Sequence, residues 1–160
     1  MIISDVGGTN GRFAVAHSDS EGNIDHLSHI NVYQCRDYNT FTDMLETFIN
    51  SLNIPPPKTA RLAIAGEMTK RHGVLWHYNW DINSDDLEAK FNFDNVTLLN
   101  DYEALVYSVP HLSKDDLLTI TPFSDGLKNA PYSVFGLGTG LGGAIGAPHN
   151  NGLSVIPTEI

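Results

Sequence analysis

Cysteine is nearly absent from this chain. Cys35 is the single one in 160 residues, so an intrachain disulfide is impossible, and no zinc site can be built on several thiolates within these residues. A reducing, cytoplasmic setting fits that usage. Positive charge is scarce as well: 9 Lys and Arg stand against 19 Asp and Glu, a net charge of −10 at pH 7. Lys58, Lys70, Arg71 and the other cations never gather into a run, so nucleic acid is not an expected partner. No apolar run reaches the roughly 20 residues that a membrane-spanning helix needs. The opening Met1-Ile2-Ile3-Ser4-Asp5 puts an acid where a signal peptide would keep its apolar stretch. A cytoplasmic protein with no membrane contact is the expectation. Internal repeats and low-complexity tracts are also missing.

What is present is ordinary for a globular chain with a real core, with 41% hydrophobic and 18% charged residues. Ile2 to Val6 and Arg12 to Ala16 bracket a glycine-rich turn, which is a β-hairpin pattern. A third strand is expected around Ile30 to Cys35. Phe41, Met44, Leu45, Phe48, Ile49 and Leu52 then recur at helical spacing and make one apolar stripe. Thr40 is the expected N-cap with Asp43 three residues on, and Pro55-Pro56-Pro57 stops the helix from continuing. Leu62 to Gly66 and Val96 to Leu99 read as buried strands. A short helix is expected from about Ser84 to Phe91, and another from Asn100 through Val109, ended by Pro110. Beyond His111 the chain turns loop-rich, with a strand at Tyr132 to Phe135 and a further one near Ala144 to Ile145. The expected division is 1–110 and 111–160. An opening hairpin followed by strands that return through helices predicts an α/β domain with a mixed sheet.

Three constellations carry chemical potential. In Asp5-Val6-Gly7-Gly8-Thr9-Asn10, paired glycines let a backbone approach phosphate oxygens and aim N–H groups at them. An acid just before the turn suits the magnesium that travels with a nucleotide; a plain hairpin turn explains the same residues. No Gly-Lys-Ser or Gly-Lys-Thr follows, so this is not a Walker A loop. In the second, Gly136 to Gly143, Gly138, Gly140 and Gly143 satisfy G-x-G-x-x-G. Ala144-Ile145-Gly146-Ala147-Pro148 then breaks the helix that a dinucleotide site needs. A second hairpin whose turn meets phosphate, or a purely structural turn, remains. In the third, Asn100-Asp101 ends a buried strand and starts a helix. There a carboxylate can accept a proton from a substrate hydroxyl, or the pair can simply cap the helix. The 7 histidines are scattered, and no pair of them forms a convincing ligand set. Trp76, Tyr78 and Trp80 suit either a sugar pocket or the core and its rim.

Taken in order, the words DVGGTNGRFA at 5–14, AIAG at 63–66, LLNDYEA at 98–104, FGLGTGLGGA at 135–144 and PTE at 157–159 resemble the bacterial glucokinase family, its N-terminal half. That family lies within the actin, hexokinase and sugar-kinase superfamily. The resemblance implies a ribonuclease H-like (actin-like ATPase) mixed sheet with an opening hairpin, followed by the beginning of a second α/β domain. It implies ATP-dependent phosphorylation of glucose in glycolysis, with Mg²⁺. Asp5, Gly7, Gly8, Thr9 and Asn10 would form a phosphate loop, with Asp5 toward the metal, and Gly138, Thr139 and Gly140 its counterpart. Asn100 would hold glucose hydroxyls, Asp101 would act as catalytic base, and Glu159 matches the glutamate of a sugar-binding E-x-G-H motif that breaks off here.

Members of the family are about twice this long, two domains of ~100–200 residues flanking a cleft. The chain is therefore expected to stop before the site is complete and to expose apolar surface. Association into a homodimer, swapping or partial disorder follows from that. A ROK-type kinase for another sugar stays open, as does a sugar-binding module without catalysis. NDYEALVYSVP looks closer to glucokinase than to the ROK pattern, and a pure binder has no need of Asp101. A dinucleotide-dependent oxidoreductase rests on the glycine pattern alone, with the wrong flanks.

Overall fold

The protein opens with strands β1 (Ile2–Val6) and β2 (Asn10–Ser18), which pair antiparallel, and β2 pairs antiparallel with β3 (Ile24–Gln34). In the computed structural model, residues 1–120, 127, 129–137 and 141–157 are described. Helix α1 (Phe41–Ser51) leads to β4 (Thr59–Ile64), which lies parallel to β1. Helix α2 (Ser84–Phe91) leads to β8 (Asn95–Asn100), parallel to β4. The sheet order is β3-β2-β1-β4-β8. This is the mixed sheet expected from a hairpin followed by helical returns.

Local chemistry explains the helices. Thr40 accepts the Asp43 N–H at 3.0 Å while Asp43 accepts the Thr40 N–H at 3.1 Å, a closed capping box. The stripe of α1 buries Phe41, Met44, Leu45 and Phe48. Asn83 caps α2 by accepting the Asp85 N–H at 2.7 Å, and Asn92 ends it in the left-handed conformation, which asparagine tolerates well.

One sheet face carries Ile2, Val6, Phe13, Val15, Ala60, Leu62, Ile64, Val96 and Leu98 into a single buried cluster with α1 and with Leu75, Trp80, Ile82 and Leu87. Phe13 stacks on Phe48 at 5.3 Å between ring centres. Removing that much apolar surface from water is the main stabilising term of the fold.

In this part of the chain two features were not expected. The segment before α2 is a second sheet, β5 (Glu67–Met68), β6 (His72–Leu75) and β7 (Trp80–Asn83), in antiparallel order. Its strands are only two to four residues long, too short for their pattern to stand out: Trp80-Asp81-Ile82-Asn83 does alternate, but over a single four-residue stretch. Between β6 and β7 the chain makes a single 3-10 turn, Trp76–Tyr78, with Asn79 left-handed after it. Strand β3 also begins earlier than expected, at Ile24, because pairing along β2 holds residues such as His26 and Ser28 extended.

The chain divides into two units, Met1–Asp101 and Tyr102–Ile160. Helix α3 (Asp101–Ser108) starts at the division. The second unit holds the antiparallel strands β9 (Tyr132–Leu137), β10 (Leu141–His149) and β11 (Gly152–Pro157). Of these, β11 was not expected, and β10 runs well past Ile145. Among the described residues no helix is long and apolar enough to cross a membrane.

Candidate functional site

Three parallel strands end together. Val6 of β1 is in register with Ile64 of β4, and Ile64 with Asn100 of β8. With strands ~4.8 Å apart, that row spans about 10 Å. Just past it the chain leaves the sheet three times: at the turn Gly7-Gly8-Thr9, at Ala65-Gly66, and at Asp101. Carboxyl ends of parallel strands are where α/β sheets gather ligands.

The first exit is a tight turn. The Gly7 N–H donates to the Asn10 carbonyl at 3.0 Å, and the Ala65 N–H reaches back to the Val6 carbonyl at 2.8 Å. Cys35, fully buried at the end of β3, holds the turn from behind. Its N–H donates to the Thr9 carbonyl at 2.9 Å and its thiol to the Gly7 carbonyl at 3.4 Å. Burial pushes the Cys35 thiol up, so it stays protonated and remains a donor. In a planar trans peptide the C=O and the next N–H point opposite ways; holding the Gly7 carbonyl inward therefore turns the Gly8 N–H outward. Among the described residues no hydrogen bond engages the N–H of Gly8 or Thr9. Neither Gly7 nor Gly8 sits in the left-handed region, and a methyl group at Gly7 would stand in open space. The turn itself therefore does not require glycine there.

The second and third exits meet. Asn100 is buried, and its Nδ2 donates to the Gly66 carbonyl at 3.0 Å. Gly66 has φ +141°, and any side chain there would collide with the Val74 carbonyl. Only glycine fits, and the sharp turn delivers its carbonyl to Asn100. Asp101 follows as the first residue of α3, half-buried.

Asp5 and Arg12 face each other across β1 and β2 and form an exposed ion pair at 2.8 Å. His77, from the 3-10 turn, lies against Gly8: a Cβ on Gly8 would be 3.6 Å from His77 Cγ. The ring is exposed and meets Tyr78 edge-on at 4.9 Å, and Tyr78 stacks on the buried Trp80 at 4.9 Å. Of the aromatic trio, Trp80 is thus core, Tyr78 rim, and Trp76 exposed. Sequence reasoning missed Gly66, Cys35, Arg12 and His77 as parts of this end of the sheet. The glycine closing a buried run was a signal for Gly66; nothing local pointed to the others.

Of the second glycine cluster, Gly138, Thr139 and Gly140 lie outside the described residues, as does Glu159. Gly136 and Gly142 are cross-strand partners in β9 and β10. A side chain on either would run into the Tyr102 ring, so these two glycines serve packing. Elsewhere the histidines are less scattered than they looked. His17 and His26 stack across β2 and β3 at 4.3 Å, and His17 and His29 share the Ser28 hydroxyl at 2.7 and 2.9 Å. Among the described residues no group of three His, Cys, Asp or Glu is placed to hold a metal ion.

The topology is that of the actin-like ATPase fold of sugar kinases. It matches the crystal structure of a glucokinase from an Antarctic psychrotroph with a TM-score of 0.80 at 24% identity, over 99% of this chain and 49% of that one. A glucokinase from Balamuthia mandrillaris, solved in complex with glucose, matches with a TM-score of 0.71 at 24% identity, over 99% of this chain and 47% of that one. The Glucokinase family model matches residues 2–160, and the chain belongs to the glucokinase family. Among its relatives, the glucokinase of Saccharophagus degradans is 32% identical over 99% of this chain and 49% of its own length. That of Campylobacter jejuni subsp. doylei is 31% identical over 94% of this chain and 44% of its own. The chain spans about half the length of the curated relatives it matches.

Proposed function

We propose that this chain carries the phosphate turn, the catalytic base and part of the sugar subsite of an ATP-dependent glucose kinase. The observation that supports the reading most is the shared row Val6, Ile64 and Asn100, beyond which the glycine turn and the Asn100-Asp101 pair leave the same end of one sheet. A turn with glycines that its own conformation does not require, and with the Gly8 N–H turned outward, suits phosphate oxygens. Asn100 holds glucose hydroxyls. Asp101 accepts the proton of the 6-hydroxyl as that oxygen attacks the γ-phosphorus of ATP and ADP departs. Glu159 adds a sugar contact, and Gly138, Thr139 and Gly140 add phosphate contacts. An exposed carboxylate at Asp5 fits Mg²⁺, an ion that keeps most of its waters and takes other oxygens from phosphate. When bound, Mg²⁺ neutralises charge on the phosphates. Residues 1–110 form the small domain of such a kinase and residues 111–160 belong to its larger one. The protein works in the cytoplasm, in glycolysis, and copies of the chain pair as a homodimer, which a mass measurement in solution tests.

The test of the catalytic reading is glucose-dependent ADP production with Mg²⁺-ATP by the chain and by Asp101→Ala. Turnover that falls by a factor of about 10² or more in the variant, the scale of general-base catalysis, is expected. Equal turnover in both would remove Asp101 from the chemistry.

A further inference from the structure

We infer that His77 is a further phosphate-contacting residue, donating an imidazole N–H to a phosphoryl oxygen of the nucleotide held at the Gly7–Thr9 turn. The inference rests on the reading of that turn as a phosphate loop. His77 reaches the turn through the fold alone, from the 3-10 turn between β6 and β7, and its ring lies against Gly8. Its position is fixed by neighbours. The edge-on contact to Tyr78 and the stacking of Tyr78 on buried Trp80 tie the ring to the core of the same unit.

The ring is exposed, and among the described residues its nitrogens make no hydrogen bond or ion pair. Other histidines of this unit are occupied: His72 with Asp81 at 2.9 Å, His26 with Asp25 at 2.8 Å, and His17 and His29 through Ser28. A neutral or charged imidazole always keeps at least one N–H to donate. Placed beside Gly8, it adds a side-chain N–H donor next to a residue that itself offers only its backbone N–H. Phosphate is the better ligand than a sugar hydroxyl for this group, because the Gly8 N–H beside it turns outward as a second donor and a phosphoryl group presents several acceptors.

The experiment follows the ¹H–¹⁵N resonances of the His77 ring and the Gly8 amide in the 160-residue chain during separate titrations with Mg²⁺-ATP, pyrophosphate and glucose. Both signals are expected to move together with Mg²⁺-ATP and with pyrophosphate and to stay put with glucose. His77→Ala should weaken Mg²⁺-ATP binding about tenfold, the loss of one hydrogen bond to a charged acceptor. His77→Gln, which retains an N–H donor, should recover most of that. A Gly8 amide that responds to Mg²⁺-ATP beside an unmoved His77 ring would overturn the inference and leave the phosphate turn standing. A ring that responds to glucose alone would likewise overturn it. Silence of both signals at saturating Mg²⁺-ATP would overturn the inference and the phosphate-loop reading together.

Discussion

The two units of this chain use their apolar residues in opposite ways. In Met1–Asp101 the sheet, α1, α2 and β6–β7 share one cluster in which Phe13, Phe41, Phe48, Leu62 and Leu98 are almost fully buried. In Tyr102–Ile160 only Val106 and Ala144 are buried apolar side chains among the described residues, while Leu118, Ile120, Phe135, Leu137 and Leu141 stand exposed. The strand content is comparable; the second layer is not. A sheet is stabilised by what covers its face, and β9–β10 offers glycines beneath Tyr102 where β1, β4 and β8 offer Val, Ile and Leu. The glycine turn at Gly7–Thr9 and the Asn100-Asp101 pair belong to the well-covered unit.

The sharpest way to probe that contrast is to truncate one phenylalanine in each unit. Phe48→Ala, in the stacked core, should cost about 3–5 kcal/mol in urea denaturation, and Phe135→Ala, 69% exposed, should cost under about 0.5 kcal/mol. A similar loss in both would mean that the second unit has a core of its own. A smaller effect concerns the start of α1: Thr40→Ala removes half of the capping box and should cost about 1 kcal/mol, read from the same denaturation curves. Asp43→Ala should cost no more.

A third test uses acid. Arg71 holds Glu88 with two bonds at 2.8 and 2.9 Å, also bonds Asp85, and reaches the Val96 carbonyl at 3.1 Å, tying the turn between β5 and β6 to α2 and β8. The Arg71 hydrogen bonds, with the Val96 N–H, pull the Glu88 carboxyl from its ordinary 4.5 to about 2. A carboxylate with a depressed folded-state pKa contributes stability that is full above its ordinary value and is lost as pH falls through the folded one. Stability of Met1–Asp101 should therefore decline between about pH 4.5 and pH 2, and Glu88→Gln should flatten that part of the curve. An unchanged slope in the variant would show that the network adds no pH dependence. The smallest effect is expected at Leu137→Ser: with the residue 90% exposed, stability should stay within about 0.5 kcal/mol.

Much of the frame was legible in the sequence because its signals are local. The α1 stripe and its cap, the opening hairpin, α2 to the residue and the buried runs at β4 and β8 all follow from spacing within a dozen or so positions. The glycine turn and the Asn100-Asp101 pair were visible as candidates, each with a bland alternative. What the sequence could not arbitrate was whether those candidates share a site. That depends on the parallel register Val6, Ile64 and Asn100, a relation among strands separated by helices and a whole second sheet. Strands β5–β7 and β11 went unseen because short strands gain their stability from pairing more than from their own pattern.

By itself, then, the sequence determined the family, the opening hairpin, the helices α1 and α2 and the buried strands β4 and β8, since these rest on contacts between near neighbours and on words that follow one another in order. Only the tertiary structure decided which glycine is sterically required, that Cys35 grips the turn from behind and that His77 lies against Gly8. Those relations join residues far apart in the chain, and no local rule of spacing reaches that far.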